Sequence, residues 1–257
     1  MNSVYGKYID IHSHVLWGMD DGSRSIEETV ALCDMAEGTG TEQIILTPHL
    51  IYWENAESLY DARERKFDRL SYILDEEGFE LKIHKGFEIL CDDDIFNIKH
   101  FKPYTLCNSR YILIEFDFFK TSVEDVISWS DYLISFGLVP IIAHPERYKF
   151  FHLEESAIDK LSAMGALFQI NGGSAAGMFG YNVQYFAEKM INKNYSDFIG
   201  SDAHDLNMRN TDLDFCFDNY LDDISKIDYF KKCKNNAIQL INDEQIKIER
   251  LGYFAET

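Results

Sequence analysis

The sequence predicts a single α/β domain built on a parallel sheet curled into a closed or nearly closed (β/α) barrel. Three observations predict it. Seven short β-rich apolar runs alternate with amphipathic helical segments, and this alternation requires crossover connections between parallel strands. Seven such units fit within 257 residues, with an open doubly wound sheet as the competing architecture. No proline- or glycine-rich linker divides the chain, so residues 1–257 read as one domain.

The elements follow in order. The first strand covers 8–11. Ser25 is a candidate N-cap with Glu28 as its capping-box partner, opening a helix to about Glu37 that stops at Gly38 or Gly40. Strand 43–47 leads to helix 56–77. Strand 81–89 precedes strand 111–116, which feeds helix 122–136. Strand 139–143 is followed by helix 153–164, and strand 166–170 by the glycine-rich stretch 172–177. That stretch lacks the Gly-Lys-Ser/Thr ending of a Walker loop and reads as a mobile loop beside the pocket. Helix 181–192 and strand 197–200 complete the alternation. After Asp212 the pattern is only helical, at 213–221, 224–237 and 243–251, and reads as a C-terminal cap.

Composition narrows the function. Hydrophobic residues make up 46% of the chain, enough for a full core. Asp and Glu number 44 against 24 Lys and Arg, a net charge of −20. That sign argues against nucleic acid and anionic membrane as non-specific partners. The N-terminus has no apolar signal region, and no apolar run approaches the roughly 18 residues of a membrane span. Five scattered cysteines suit a reduced chain rather than a disulfide scaffold. Together these predict a cytoplasmic protein with no direct membrane insertion.

Metal-ligand residue types fall at the ends of the runs. His12 and His14 end the first, His49 the second and His144 the fifth, while Asp202 and His204 end the seventh. Glu88 and Glu115 sit late in the third and fourth, and Asp20 and Asp21 follow the first. In α/β barrels the carboxyl ends of the strands converge on one mouth. His-x-His on a strand puts both imidazoles on one face. An imidazole and carboxylate set suits Zn, Mn or Fe. His84, His100 and His152 read as ordinary hydrogen-bonding histidines, and Asp20 and Glu146 as solvated or supporting groups. Arg147 and Arg209 stand just past two of these strand ends.

The motifs Asp10-Ile11-His12-Ser13-His14, Thr47-Pro48-His49, Ala143-His144-Pro145-Glu146-Arg147-Tyr148 and Ser201-Asp202-Ala203-His204, with Glu88 and Glu115, resemble the polymerase-and-histidinol-phosphatase (PHP) superfamily. Asp20-Asp21-Gly22, Leu113-Ile114-Glu115-Phe116 and Arg209 are similar to its branch of manganese-dependent bacterial protein tyrosine phosphatases of capsule and exopolysaccharide loci. The resemblance implies a distorted seven-stranded barrel with C-terminal helices and a centre of three divalent metal ions, manganese with iron or zinc as alternatives. It implies one metal on His12, His14, Glu88 and Asp202. A second would share Glu88 and take Glu115 and His144, and a third would take Asp21, His49 and His204. Arg147 and Arg209 match the phosphate-binding arginines. The implied substrate is phosphotyrosine, on a peptide or on the tail of a membrane-anchored bacterial tyrosine kinase, hydrolysed by metal-activated water attacking in line.

Rival readings are a PHP-type phosphatase of a small phosphomonoester such as histidinol phosphate, and a non-catalytic binding module of polysaccharide export. An amidohydrolase-type barrel shares His-x-His but commonly bridges its metals with a lysine where Glu115 stands. A cysteine-dependent tyrosine phosphatase is excluded. It needs Cys-x5-Arg, and the positions six beyond the cysteines hold Thr39, Asn97, Leu113, Asp222 and Gln239.

Overall fold

The computed structural model describes residues 8–218 and 224–255. In chain order these carry β1 (Tyr8–Ser13), α1 (Ile26–Gly38), β2 (Thr41–Leu46), β3 (His49–Leu50), α2 (Ala56–Glu77), β4 (Lys82–Lys85), β5 (Glu88–Leu90), β6 (Tyr111–Glu115), α3 (Val123–Ser135) and β7 (Val139–Ala143). They continue with α4 (Lys149–Leu153), α5 (Ser156–Met164), β8 (Leu167–Asn171), α6 (Gly172–Ala175), α7 (Tyr181–Asn192), β9 (Phe198–Gly200), α8 (Leu213–Asp218) and α9 (Ile224–Ile241).

All strand pairings are parallel. One sheet has the order β1-β2-β4 and the other β3-β5-β6-β7-β8-β9. The strand count differs from the expected seven: the described residues hold nine segments in two sheets. Predicted run 43–47 is kept as β2, with an unexpected two-residue strand β3 beyond it, and run 81–89 is broken in the middle into β4 and β5. After β2, the Thr47 N–H turns to Ser13 O, and Pro48 has no N–H to give. After β4, the Gly86 N–H donates to Leu46 O, in a space where a Cβ would sit 2.6 Å from Leu106 Cδ2. The far edge curls back. Ala203 O accepts from His14 N at 2.8 Å, and Asp202 N donates to His12 O at 2.9 Å, joining the chain after β9 to β1.

Period-two alternation sorts the apolar side chains. Ile9, Ile11, Ile45, Leu113, Ile141, Leu167 and Phe198 form one cluster, which fills the concave side and is closed by Ala237 and Leu240 of α9. Ile112, Ile114, Ile142, Phe168 and Ile170 point the other way, under α3, α5 and α7. Ile44 and Leu46 pack on Leu32 of α1 and Leu70 and Leu74 of α2.

Helices α2 and α7 keep their expected bounds. Ser25 caps α1 by accepting from Glu28 N at 3.2 Å, but the Glu28 carboxylate accepts from Arg24 N instead, so the reciprocal half of the box is missing. The full box occurs at α3, between Ser122 and Asp125. Three expectations change. The helix expected at 153–164 begins only at Ser156, as α5, and a separate short helix not expected from the sequence, α4, ends at Leu153 before it. Stretch 172–177 is not a mobile loop: it contains the buried helical turn α6, packed so closely that a Cβ on Gly172 would lie 3.0 Å from Cys216 Sγ. Segment 243–251 is not helical. Asp243 takes a left-handed backbone (φ +56°), its carboxylate accepts from Arg110 N and Nε, and Glu244 O accepts from the Tyr111 hydroxyl. Residues 219–221 of the expected helix 213–221, and the stretch before Tyr8, lie outside the described residues. The five cysteines are free. No helix of the described residues is long and apolar enough to cross a membrane.

Candidate metal centre

The carboxyl ends of the strands gather histidines and carboxylates into one cluster. Glu115 arrives by simple alternation, since Tyr111, Leu113 and Glu115 share the inward face of β6. The others need local distortion. The register of β1 shifts between Asp10 and Ser13, which turns His12 inward beside Ile11. His144 and Asp202 sit beyond their strands in left-handed backbone, φ +35° and +52°. Asp202 and His204 therefore do not share a strand face, as their spacing suggested. They converge because the chain kinks.

Glu88 stands at the middle, fully buried. Its Oε2 lies 3.0 Å from His12 Nε2, 3.1 Å from His14 Nε2 and 3.2 Å from His49 Nδ1, and its Oε1 lies 3.0 Å from His144 Nε2. Glu115 Oε1 is 2.9 Å from His49 Nδ1. Asp202 Oδ1 is 3.5 Å from His14 Nε2 and 3.7 Å from His12 Nε2, while Asp21 Oδ1 is 3.5 Å from His49 and 3.4 Å from His204. Four groups have donor atoms mutually within 4.8 Å: His14, Asp21, His49 and His204; His12, Glu88 and His144; His12, His14 and Asp202; and His49, Glu88 and Glu115. All nine residues that the sequence singled out as ligands fall in these groups, with Glu88 in two of them.

The donor set fits divalent metal. His12 and His14 aim their Nε2 atoms at each other across 3.1 Å. Glu88 Oε2 and His49 Nδ1 are buried and close to several partners, yet make no hydrogen bond of acceptable geometry. Lone pairs that converge without bonding one another suit a shared cation.

Burial and charge shape the titration. Burial pushes the His12 imidazole down, but the Glu88 and Asp202 carboxylates outweigh it and hold it up at about 9. His49 is likewise lifted against burial, to about 10, by Glu115 and Glu88. Burial and the neighbouring His14 push His204 down to about 4. Burial opposes ionisation of Glu88, yet the adjoining imidazoles, His12 foremost, hold it well below the usual carboxylate range.

Supporting groups fix the rings. The Gln169 amide nitrogen donates to Ile170 O and Asn171 Oδ1, which leaves its Oε1 to accept from His12 Nδ1 at 2.8 Å. The proton of His12 is thereby held on Nδ1, and Nε2 faces the cluster. Asp20 Oδ2 does the same for His14 Nδ1 at 2.7 Å while accepting from His49 N. Asn171 Nδ2 donates to Asp202 Oδ2 at 2.7 Å, and Asn171 N donates to the buried Glu146. The sequence reading left Asp20 and Glu146 open between solvent and support, and both are supports. It missed Gln169 and Asn171. Their signal was polar residues at the inward positions of an otherwise apolar strand. His152 Nε2 donates to Glu146 O at 2.7 Å and takes no part in the cluster.

Both predicted arginines reach this site. Arg147 Nη1 lies 3.1 Å from Asp202 Oδ2 and Arg209 Nη2 2.7 Å from Asp202 Oδ1. A cleft of about 390 Å³ opens beside Asp21 and His204. The larger cleft, about 520 Å³, shares no residue with the cluster, and its Arg63 and Lys85 are already bound to Glu64.

A curled parallel α/β sheet with buried imidazoles and carboxylates at its carboxyl end defines a mixed α/β protein carrying a candidate metal centre. The sequence model of the family described as capsular polysaccharide synthesis, CpsB/CapC, matches residues 8–242, and the chain belongs to that family. Among curated relatives, CapC of Staphylococcus aureus is 34% identical over 203 residues, 78% of each chain. The tyrosine-protein phosphatase YwqE of Bacillus subtilis is 32% identical over 206 residues, 79% of each chain. Among solved structures, a chain from the crystallographic description of YwqE and of CpsB from Streptococcus pneumoniae, called unique metal-dependent tyrosine phosphatases, superposes with a TM-score of 0.81 at 28% identity. The match covers 94% of this chain and 96% of that one. An amidohydrolase from Mycoplasma synoviae shares the fold alone, with a TM-score of 0.57 at 13% identity over 97% of this chain and 92% of that one.

Proposed function

We propose that the chain is a metal-dependent protein tyrosine phosphatase. The observation that carries this reading is the convergence of nine imidazole and carboxylate ligands with two arginines, in a chain of a family whose relatives bear that activity. His12, His14, Glu88 and Asp202 would hold one ion, Glu88, Glu115 and His144 a second, and Asp21, His49 and His204 a third. Manganese is the expected metal, with iron or zinc as alternatives. Divalent metal supplies charge that anchors phosphoryl oxygens in a very acidic protein and lowers the pKa of the water that attacks phosphorus in line.

The chain's own residues do the rest. Arg147 and Arg209 fork onto non-bridging phosphoryl oxygens, a geometry lysine does not reproduce. Gln169 and Asp20 keep the His12 and His14 protons on Nδ1, away from the ligand atoms. Phenolate, with a pKa near 10, leaves more readily than an alkoxide, so little acid assistance is needed. The substrate is the phosphotyrosine tail of a membrane-anchored bacterial kinase that controls capsular or exopolysaccharide synthesis, and the enzyme works as one domain in the cytoplasm.

The test is phosphate release from a phosphotyrosine peptide by metal-stripped protein, with and without added Mn²⁺. Release only with Mn²⁺ is expected. No release from folded protein under either condition sinks the reading and turns attention to small phosphomonoesters.

A further inference from the structure

Arg147 does not stand alone at the mouth. Its guanidinium carbon lies 5.2 Å from the centroid of the Phe118 ring and 4.7 Å from that of Phe179. The two rings come from different places, Phe118 from the turn after β6 and Phe179 from the turn after α6. Two aromatic faces thus flank one cation, the contact that a ring quadrupole favours. Phe118 is also fixed from behind. It stacks on His144 (6.1 Å between centroids, 13° between planes) and leans on Tyr148 at 4.9 Å. Yet it remains 37% exposed, an unusual state for a ring held by three neighbours.

We infer that Phe118 and Phe179 are specificity-determining residues that select aryl over alkyl phosphates by giving the leaving group's ring an aromatic wall. This deepens the phosphatase reading and rests on it. A phosphoryl group held by Arg147 sits where the guanidinium meets Asp202, at the edge of the imidazole cluster. Its ester substituent must leave that point past the rings that flank the guanidinium. A planar ring fits offset or edge-on against such faces, and aromatic pairs gain about 0.5–1.5 kcal/mol beyond area burial, about two- to tenfold. An alkyl chain of equal size gains only the burial. The rings also hold Arg147 in place, so discrimination and positioning must be told apart.

Phenyl phosphate and hexyl phosphate carry the same phosphoryl group and the same number of carbons. With Mn²⁺-loaded protein, wild type is expected to favour the phenyl ester in kcat/KM. Phe118→Leu and Phe179→Leu each lower that phenyl-to-hexyl ratio about three- to tenfold, and Phe118→Tyr, which keeps the ring, restores it. Calorimetric binding of phenylphosphonate and hexylphosphonate, which are not hydrolysed, follows the same ratio. Equal losses on both esters in the Leu variants overturn the inference and leave the rings as mere supports of Arg147. A wild-type ratio of one overturns it too, while leaving the phosphatase reading intact. Wild type that hydrolyses neither ester but binds phenylphosphonate preferentially overturns the phosphatase reading and leaves the ring selection standing.

Discussion

Arg147 and Arg209 meet opposite oxygens of a single carboxylate: Arg147 takes Asp202 Oδ2, while Arg209 shares Oδ1 with the imidazoles of His12 and His14. Removing either arginine should cost about 10²-fold or more in kcat, the scale of losing one preorganised donor to developing charge. Metal content measured by elemental analysis should stay unchanged in Arg147→Ala and Arg209→Ala, and lost metal would make the arginine a structural group. Arg147→Lys should not restore turnover, because a point charge lacks the fork. Asp20→Asn should weaken metal binding about 10- to 100-fold in a chelator competition, since it loosens the His14 ring without touching the ions. At this scale the sequence was legible where chemistry depends on residue type alone: imidazoles, carboxylates and arginines could be picked out from their places past apolar runs. It was not legible where backbone re-aims a side chain. Nothing in the spacing of His144 or Asp202 announces a positive φ. Nothing in the sequence of β8 announces that Gln169 will orient His12, a histidine of β1 in the other sheet.

The elements show where periodicity suffices and where it misleads. Helices α2 and α7 ended where their sequence pattern ends, because each lays one apolar stripe on the sheet. The segment after α9 carries a helix-like spacing but is pulled flat by bonds to other elements. Arg250 forks onto the buried Asp197, Nη1 to Oδ1 at 2.7 Å and Nη2 to Oδ2 at 2.8 Å, and also reaches Ser162 Oγ. These long-range partners outweigh local helical preference, and no local pattern reveals them. Arg250→Met should lower unfolding free energy by about 3–5 kcal/mol in urea titration, because Asp197 is left charged and buried. A loss under about 1 kcal/mol would mean Lys232, 3.4 Å from the same carboxylate, is enough to hold it. The broken strands belong here too. Pro48 was visible in the sequence, but that a short strand, β3, would resume just beyond it depended on Ser13 and Glu88 offering the pairings.

For the whole molecule, charge and metal work against each other. A net charge of −20 repels a phosphopeptide at long range. Raising ionic strength from about 10 mM to 150 mM shortens the screening length from about 30 Å to 8 Å. KM for an acidic phosphotyrosine peptide should therefore fall with added salt, and a rising KM would mean that local cations around the mouth dominate. Metal at a hundredfold excess over its dissociation constant adds about 2.7 kcal/mol. For a chain of this size that is an expected rise of about 5–10 °C in Tm, read by differential scanning calorimetry and reversed by chelation.

The left-handed turn at His144 and its counterpart at Asp202 also decide how portable the centre is. A protein engineer who copied the ligand side chains onto an idealised barrel would carry over Glu115, which regular alternation delivers, and strand the others. His144, Asp202 and His12 arrive through two kinks and a register slip that an ideal scaffold is drawn to avoid. To transplant this centre is to transplant its irregularities, and those irregularities are the part of the inheritance that a table of ligands leaves behind.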